Sequence, residues 1–198
     1  EVTTLAGSGD EGDADGVGDA AQVCGPAGIA ISPDGGALFV ADFEENHMIR
    51  RVEVATGAVT TIAGSGERGD ADGVGDAAEF NNPSGITMSP DGNALFVADW
   101  SNNKIRRVEV ATGAVTTLAG SGTEGNADGV GDAAQFDGPD EVAISPDGST
   151  LLVGSRGGLR QVCVGASQTA SLLLCPERRS ALHPHHPRAP PSMSRLTT

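Results

Sequence analysis

The chain alternates short apolar runs with polar turn residues, and no ten-residue stretch has the 3.6-residue period of an amphipathic helix. The runs are rich in Val, Ile, Leu, Thr and Phe, and each is bounded by Gly, Pro, Asn or Asp. Near-continuous runs, such as Ala-Leu-Phe-Val-Ala at 94–98, predict strands that are buried on both faces. The pattern therefore predicts an all-β protein whose sheets stack face to face.

The pattern occurs three times, with a period of about 56 residues. In each copy, Pro in the turn Ser-Pro-Asp-Gly fixes φ, and the Gly accepts a left-handed conformation. Each copy predicts four short antiparallel strands, and such units repeated radially are the blades of a β-propeller. A solenoid is disfavoured because its repeats are usually shorter, ~20–30 residues. The recurring segments are Val-Thr-Thr-(Leu/Ile)-Ala-Gly-Ser-Gly at 2–9, 59–66 and 115–122, and Ser-Pro-Asp-Gly at 32–35, 89–92 and 145–148.

These units predict a partial propeller of about three four-stranded blades over residues 1–174, as part of a six-bladed ring. Residues 175–198 are rich in Pro, Arg and His and predict a disordered tail. Three blades are too few for a closed propeller, and three interpretations remain open. The chain is a piece of a longer protein, a complete but open arc, or half of a ring that two copies close. Open blade edges predict self-association. The predicted blades lie near 27–63, 84–119 and 142–174, with 2–5 as the last strand of a preceding blade.

A sharper signature runs through residues 83–106. It reads Pro-Ser-Gly-Ile, Ser-Pro-Asp-Gly, Leu-Phe-Val-Ala-Asp and Asn-Asn-Lys-Ile-Arg in turn. Copy one matches it, whereas copy three has Glu141 in place of Gly and Gly154-Ser155 in place of Ala-Asp. Over residues 1–165 the sequence resembles the NHL-repeat family of β-propellers. The resemblance implies the fold; for function it implies interaction platforms, RNA-binding modules, sensor domains, or metal-dependent lyases and lactonases.

Charge and composition narrow these classes. The 27 acidic residues outnumber the 12 basic ones, and a net charge of −15 repels nucleic-acid phosphate. No apolar run approaches the ~18–20 residues that cross a membrane. The chain has no Gly-x-Ser-x-Gly elbow and no Ser/His/Asp set spread over the repeats. We therefore expect a non-enzymatic binding or scaffolding module that presents acidic loops to a protein or small ligand; the localisation stays open. The alternative is a fragment of a lactonase- or lyase-type propeller enzyme with a metal at the channel mouth.

An acidic, glycine-rich loop precedes each blade. Alternating carboxylates on such a loop can wrap Ca²⁺, which takes six to eight oxygens, although the EF-hand spacing is absent. The structural alternative is that the last Asp of each loop caps one helical turn. Calcium is the one cofactor that the sequence suggests. Its candidate ligands are Asp13, Asp15, Asp19, Asp70, Asp72, Asp76, Asp128 and Asp132.

The loop between the second and third strands varies in length and supplies the candidate contact residues. An exposed aromatic there suits a partner contact, and packing over the blade edge is the alternative. Asp42 and Asp99 end the second strands, where they are expected to accept hydrogen bonds from turn N–H groups. The three cysteines have no paired spacing and predict no disulfide framework. The candidate contact residues are Phe43, His47, Trp100, Asn102 and Asn103.

Overall fold

The computed structural model describes residues 1–165, and this part of the chain is all-β, as predicted. Short 3₁₀ turns cover Gly18–Ala20, Gly75–Ala77, Trp100–Asn102 and Gly131–Ala133. The strands are β1 (Gly16–Val17), β2 (Pro26–Ile31), β3 (Ala37–Asp42), β4 (Met48–Glu53), β5 (Ala58–Ala63), β6 (Gly73–Val74), β7 (Pro83–Met88), β8 (Ala94–Asp99), β9 (Lys104–Glu109), β10 (Ala114–Ala119), β11 (Glu141–Ile144), β12 (Thr150–Ser155) and β13 (Gly158–Cys163).

The strands form three antiparallel sheets in the described chain. Blade 1 has the order β1-β5-β4-β3-β2, blade 2 the order β6-β10-β9-β8-β7, and blade 3 the order β11-β12-β13. The sheets are of propeller-blade type, so the partial propeller is confirmed. An unpredicted feature is the short strand from the acidic loop, which pairs with the outer strand of the following blade: Gly16 lies opposite Val59, and Gly73 opposite Val115.

Two predicted strands differ from the structure or lie outside it. Residues 2–5 are assigned no strand, whereas their counterparts in β5 and β10 pair with β4 and β9. The reason is that a strand is defined by its partner, and the described chain places none beside residues 2–5. The fourth strand of blade 3, within 142–174, and the tail 175–198 fall on or beyond residues 166–198, outside the described residues.

The inner strands β2, β7 and β11 lie side by side where the blades meet. They approach so closely that a Cβ on Gly28 would lie 2.4 Å from the carbonyl oxygen of Ser84, and a Cβ on Gly85 would lie 2.4 Å from that of Asp140. The amide of Gly85 also donates to the Asp140 carbonyl at 2.7 Å. Only glycine permits this approach.

Apolar side chains fill the space between neighbouring sheets farther from this contact. Sheets packed face to face in this way remove both surfaces from water, which explains the near-continuous apolar runs. Between blades 1 and 2 the buried core includes Phe39, Ala41, Ile49, Ile86, Leu95 and Val97, and between blades 2 and 3 it includes Phe96, Ile105, Phe136, Leu151 and Val153. No helix in the described chain is long and apolar enough to span a bilayer.

The repeated Ser-Pro-Asp-Gly turn has one hydrogen-bond pattern in all three blades. In blade 1 the amide of Gly35 donates to the Ser32 carbonyl at 2.8 Å, and Gly35 adopts a φ of 71°. The Asp34 carboxylate accepts from the Ser32 hydroxyl at 2.6 Å and the Gly36 amide at 3.0 Å. These bonds stabilise the charged carboxylate and lower its pKa.

We predict a low pKa for Asp147 and a turn that weakens only in strong acid. The Ser145 hydroxyl, the Ser149 amide and the Ser149 hydroxyl lower the pKa of Asp147 to about 2 from its ordinary 3.8. Because the folded pKa is below the unfolded one, this contribution is present above pH 3.8 and is lost as the pH falls towards 2. NMR titration of the carboxyl group measures it. Ser145→Ala should raise the pKa more than Ser149→Ala, and an ordinary pKa in the unaltered chain would contradict the assignment.

Candidate functional site

A buried arginine anchors the acidic loop in blade 1. The Arg50 side chain on β4 is fully buried, and its Nη1 donates to Asp42 Oδ2 at 3.0 Å and to the Gln22 carbonyl at 3.1 Å. Its Nη2 donates to Asp15 Oδ1 at 2.9 Å and to the Ala14 carbonyl at 3.2 Å. The guanidinium thus joins the end of β3 to the loop that precedes the blade.

Blade 2 repeats this arrangement, and blade 3 keeps half of it. Arg106 donates to Asp99 Oδ2 and to Asp72 Oδ1, each at 2.8 Å, and lies over the Phe80 ring at 5.2 Å. Arg160 donates to Asp128 at 2.7 Å. The strand-end aspartate is missing from blade 3 because Ser155 occupies its position. In blades 1 and 2 these aspartates also accept from turn amides, as predicted: Cys24 N to Asp42 and Asn81 N to Asp99, both at 2.8 Å.

Four of the proposed calcium ligands have a structural partner. Asp15, Asp72 and Asp128 bind the arginines, and Asp70 accepts from Lys104 Nζ at 2.7 Å. Asp15 and Asp72 also accept from the amides of Thr61 and Thr117. All eight candidate aspartates are nevertheless exposed.

The expectation that the last loop aspartate caps a helical turn is wrong. Asp19, Asp76 and Asp132 lie inside the 3₁₀ turns, and the N-cap residues are Val17, Val74 and Val130, without a side-chain cap. Within the described residues, the group whose metal-ligating atoms lie within 4.8 Å of one another is Glu11, Cys24 and Glu44, and none of the predicted aspartates belongs to it. Calcium binding stays a prediction. Cys163 is disulfide-bonded, contrary to expectation, whereas Cys24 is a buried free thiol.

Three of the predicted contact residues serve the fold instead. Asn102 Nδ2 donates to the Gly69 carbonyl at 2.6 Å and to Asp99 Oδ2 at 2.8 Å. Asn103 and His47 occupy equivalent left-handed positions, with φ of 54° and 49°. Asn103 Oδ1 accepts from the amide of Gly138 in the next blade at 2.9 Å. The sequence predicts these residues as partner contacts because their position in the loop does not reveal these bonds within the fold.

His47 makes the equivalent connection between blades 1 and 2. Its imidazole is buried, and Nδ1 lies 3.2 Å from the Asn82 amide, while Nε2 lies 3.0 Å from Arg68 Nε. Burial lowers the pKa of His47 and favours the neutral ring. A neutral imidazole has one acceptor nitrogen, so it accepts from one of the two donors at a time. The ring is a link between blades and is not available to a partner.

The remaining two contact candidates meet in a cavity at the ends of the blades. The rings of Phe43 and Trp100 have centroids 6.2 Å apart, and the Arg156 guanidinium lies 5.3 Å from the centre of the Trp100 ring. We call this space, of about 620 Å³, the aromatic cavity. It is lined by Phe43, Trp100, Gly138, Asp140, Glu141, Gly154, Ser155 and Arg156.

The aromatic cavity is where copy three departs from the other two. Glu141 stands in place of Gly28 and Gly85, Gly154-Ser155 replaces Ala-Asp, and the loop at Arg156 is shorter. Ser155 Oγ is buried without a hydrogen-bond partner among the described residues. The sequence shows these departures but does not predict a site from them. The signal that could have revealed the site is that the departures all fall in the same copy of the repeat.

The comparisons with known proteins agree with this architecture. The family model described as "Lactonase, 7-bladed beta-propeller" matches residues 1–158. The chain belongs to this family of β-propellers. The family's description gives seven blades, where the sequence suggests six for the complete ring.

Relatives of the chain carry the NHL name and confirm that resemblance. NHL repeat-containing protein 2 from Bos taurus is 32% identical over 162 residues, which cover 81% of this chain and 21% of that protein. Protein SUPPRESSOR OF QUENCHING 1, chloroplastic, from Arabidopsis thaliana is 35% identical over 102 residues, 52% of this chain and 9% of that protein. The chain thus spans about a fifth of the length of the first relative and about a tenth of that of the second.

A solved structure supports the fold. An auxiliary nutrient binding protein from Bacteroides ovatus superposes with a TM-score of 0.59 at 22% identity, covering 70% of this chain and 37% of that one. At this identity the likeness concerns architecture alone.

Asp99→Ala should destabilise the chain by about 3–5 kcal/mol, because it leaves the buried Arg106 guanidinium without its closest strand partner. The free energy of unfolding from urea denaturation measures the loss. Glu109→Ala, which removes the partner of the half-exposed Arg107, is the matched control and should cost only ~0–1 kcal/mol. Equal losses in the free energy of unfolding would contradict the prediction, because the buried pair would then contribute no more than the exposed one.

Proposed function

We propose that this chain is a non-enzymatic binding module of a larger propeller, and that it takes a small ligand or a partner's side chain in the aromatic cavity. The observation that supports this is the position of the departures from the repeat. Residues that hold the blades together recur in the copies, whereas Glu141, Gly154 and Ser155 break the pattern beside one cavity. In a repeated scaffold, local rules are most often broken where function requires it.

The lining suggests the chemistry of the ligand. Trp100 and Phe43 offer apolar and π surfaces, and Trp100 already holds the Arg156 guanidinium over its ring. Asp140 and Glu141 add exposed carboxylates at the rim. A ligand with an organic cation therefore suits the cavity, because it can replace Arg156 on the ring and face the acidic rim. Ser155 Oγ adds a polar group that has no hydrogen-bond partner among residues 1–165.

A lactonase-type enzyme is the second candidate, favoured by the family match. Such an enzyme holds a metal ion with carboxylates or imidazoles that converge from several blades. Asp140 and Glu141 supply carboxylates from blade 3, but blades 1 and 2 have Ala27-Gly28 and Ser84-Gly85 at the matching positions. The described blades thus offer this chemistry from one blade only, which supports binding over catalysis for this segment.

Recognition of nucleic acid is disfavoured by charge and by burial. The net charge is −15, and the repeated Arg50 and Arg106 are fully buried in ion pairs. They do not form a basic face for phosphates, which such binding requires.

Fluorescence of Trp100 tests the proposal, because the chain has one Trp and no Tyr. Choline and agmatine serve as cationic probes, with acetate as the anionic control. We expect saturable changes in Trp100 emission with the cations and none with acetate. Glu141→Gly, which restores the residue of the other copies, should weaken the response, whereas Asp76→Asn on a distant exposed loop should not.

Three results would contradict the proposal. The first is a titration in which neither cationic probe changes the Trp100 emission. The second is a response that Glu141→Gly leaves unchanged. The third is Ca²⁺-dependent hydrolysis of γ-butyrolactone by the chain, which would favour the enzyme instead.

A further inference from the structure

We propose that Glu11, Cys24 and Glu44 form a binding site for a zinc-type divalent cation at one end of blade 1. Their ligand atoms, one carboxylate oxygen from each glutamate and the sulfur of Cys24, all lie within 4.8 Å of one another. None of the three residues lines the aromatic cavity, so this site is separate from the one proposed for organic ligands. It also does not include the aspartates that the sequence suggests for calcium.

The three ligand groups come from separate segments that meet only in the fold. Glu11 lies just before the acidic loop, Cys24 precedes β2, and Glu44 follows β3. A Cβ on Gly25 would lie 2.8 Å from Cγ of Glu44, so this glycine leaves room for the glutamate side chain to lie across the backbone beside Cys24. The chain therefore brings the carboxylates to the thiol from two directions.

Backbone contacts hold these segments together without using the ligand side chains. Asp42 at the end of β3 accepts from the Cys24 amide at 2.8 Å, which joins the second segment to the third. Asn46 Nδ2 donates to the Gly12 carbonyl at 2.7 Å, which joins the third segment to the first. The positions of the ligands are thus set by the fold, and their side chains are left for another partner.

The Cys24 thiol is the buried member of the set. The residue is 2% exposed, and its sulfur lies 3.9 Å from Glu44 Oε2, which is long for a hydrogen bond. Bonds of ~2.3 Å to sulfur and ~2.1 Å to oxygen at a tetrahedral angle place such ligand atoms about 3.6 Å apart. A metal ion between the two atoms therefore requires only a small movement of the exposed glutamate.

The two carboxylates have no counter-charge in the described chain. Neither Glu11 nor Glu44 forms an ion pair within residues 1–165. Like charges at this separation repel each other, and a bound cation removes the repulsion.

The other two copies of the repeat carry a basic residue where copy one has none. Copy two has Arg68 at the position of Glu11. In copy three Asp137 occupies the position of Cys24, and the guanidinium of Arg156 lies 4.0 Å from its carboxylate. The ligand set is therefore specific to copy one and is not a general feature of the repeated scaffold.

The donor atoms select the metal. Ca²⁺ takes six to eight oxygen ligands, so a sulfur atom does not suit it. Zn²⁺ binds cysteine sulfur together with carboxylate oxygen in a tetrahedral arrangement, and three protein ligands leave the fourth position to water. The ion displaces the thiol proton, which passes to solvent, so binding weakens as the pH falls.

Cobalt(II) and zinc test the site in the full chain under non-reducing conditions, in which Cys163 keeps its disulfide. Co²⁺ bound to a thiolate gives a sulfur-to-metal charge-transfer absorption, which carboxylates and imidazoles do not produce. We expect this band to saturate at one Co²⁺ per chain and to disappear when Zn²⁺, which binds more tightly, is added. An excess of Ca²⁺ should leave the band unchanged.

Matched variants identify the ligands. Cys24→Ser should abolish the charge-transfer band. Glu44→Gln, at an exposed position that does not affect folding, should weaken Zn²⁺ binding at least ~10-fold, since the loss of an outer partner alone costs about that much. Glu45→Gln is the control, because this neighbouring carboxylate is equally exposed but lies outside the ligand set, and it should retain the affinity.

Three results would overturn the proposal. The first is the absence of a charge-transfer band, or a band that persists in Cys24→Ser. The second is an equal Zn²⁺ affinity of Glu44→Gln and Glu45→Gln. The third is the loss of Zn²⁺ binding when the histidines outside the described residues are replaced, which would assign the metal to them instead. That variant combines His183→Ala, His185→Ala and His186→Ala.

Discussion

The arrangement of the blades depends on the close approach of the inner strands, which leaves no room for a Cβ at Gly28 or Gly85. This approach fixes the distance and the register between neighbouring sheets. It lets the amide of Gly85 bond to the next blade, and it brings His47 and Asn103 within reach of the backbone of the following blade. The backbone contact between inner strands sets the distance between the sheets, and the apolar side chains fill the space that this distance leaves.

The second level of order is electrostatic. A buried arginine is costly unless its N–H groups are paired, and Arg50 and Arg106 each donate to two carboxylates and two carbonyls. These bonds convert the acidic loops into parts of the blades. Part of the negative charge of the chain therefore neutralises these buried arginines. The carboxylates of Asp140 and Glu141 at the aromatic cavity do not belong to these arginine pairs.

The sequence predicts the repeated strands and turns well because their signals are local. Ser-Pro-Asp-Gly sets its own turn, and the apolar runs span one strand each. The role of Arg50 was not predictable in this way, since its partner Asp15 lies 35 positions earlier and the two meet only when the loop folds back over the blade. The bonds of His47 and Asn103 were not predictable for the same reason, because their partners belong to another blade. Trp100 and Phe43, which the sequence predicts as contact residues, line the aromatic cavity, but its walls from blade 3 could be located only in the folded structure.

Glu141 shows how one substitution changes a packing position into part of the proposed site. At the equivalent positions, Gly28 and Gly85 leave room for the backbone of the next inner strand. Glu141 instead places an exposed carboxylate beside the aromatic cavity. Because the same small space holds either a close backbone or a side chain, a position of the repeat serves tight packing or chemistry, but not both. The departures of copy three therefore mark the place where this segment gives up the repeated packing rule in favour of a polar lining.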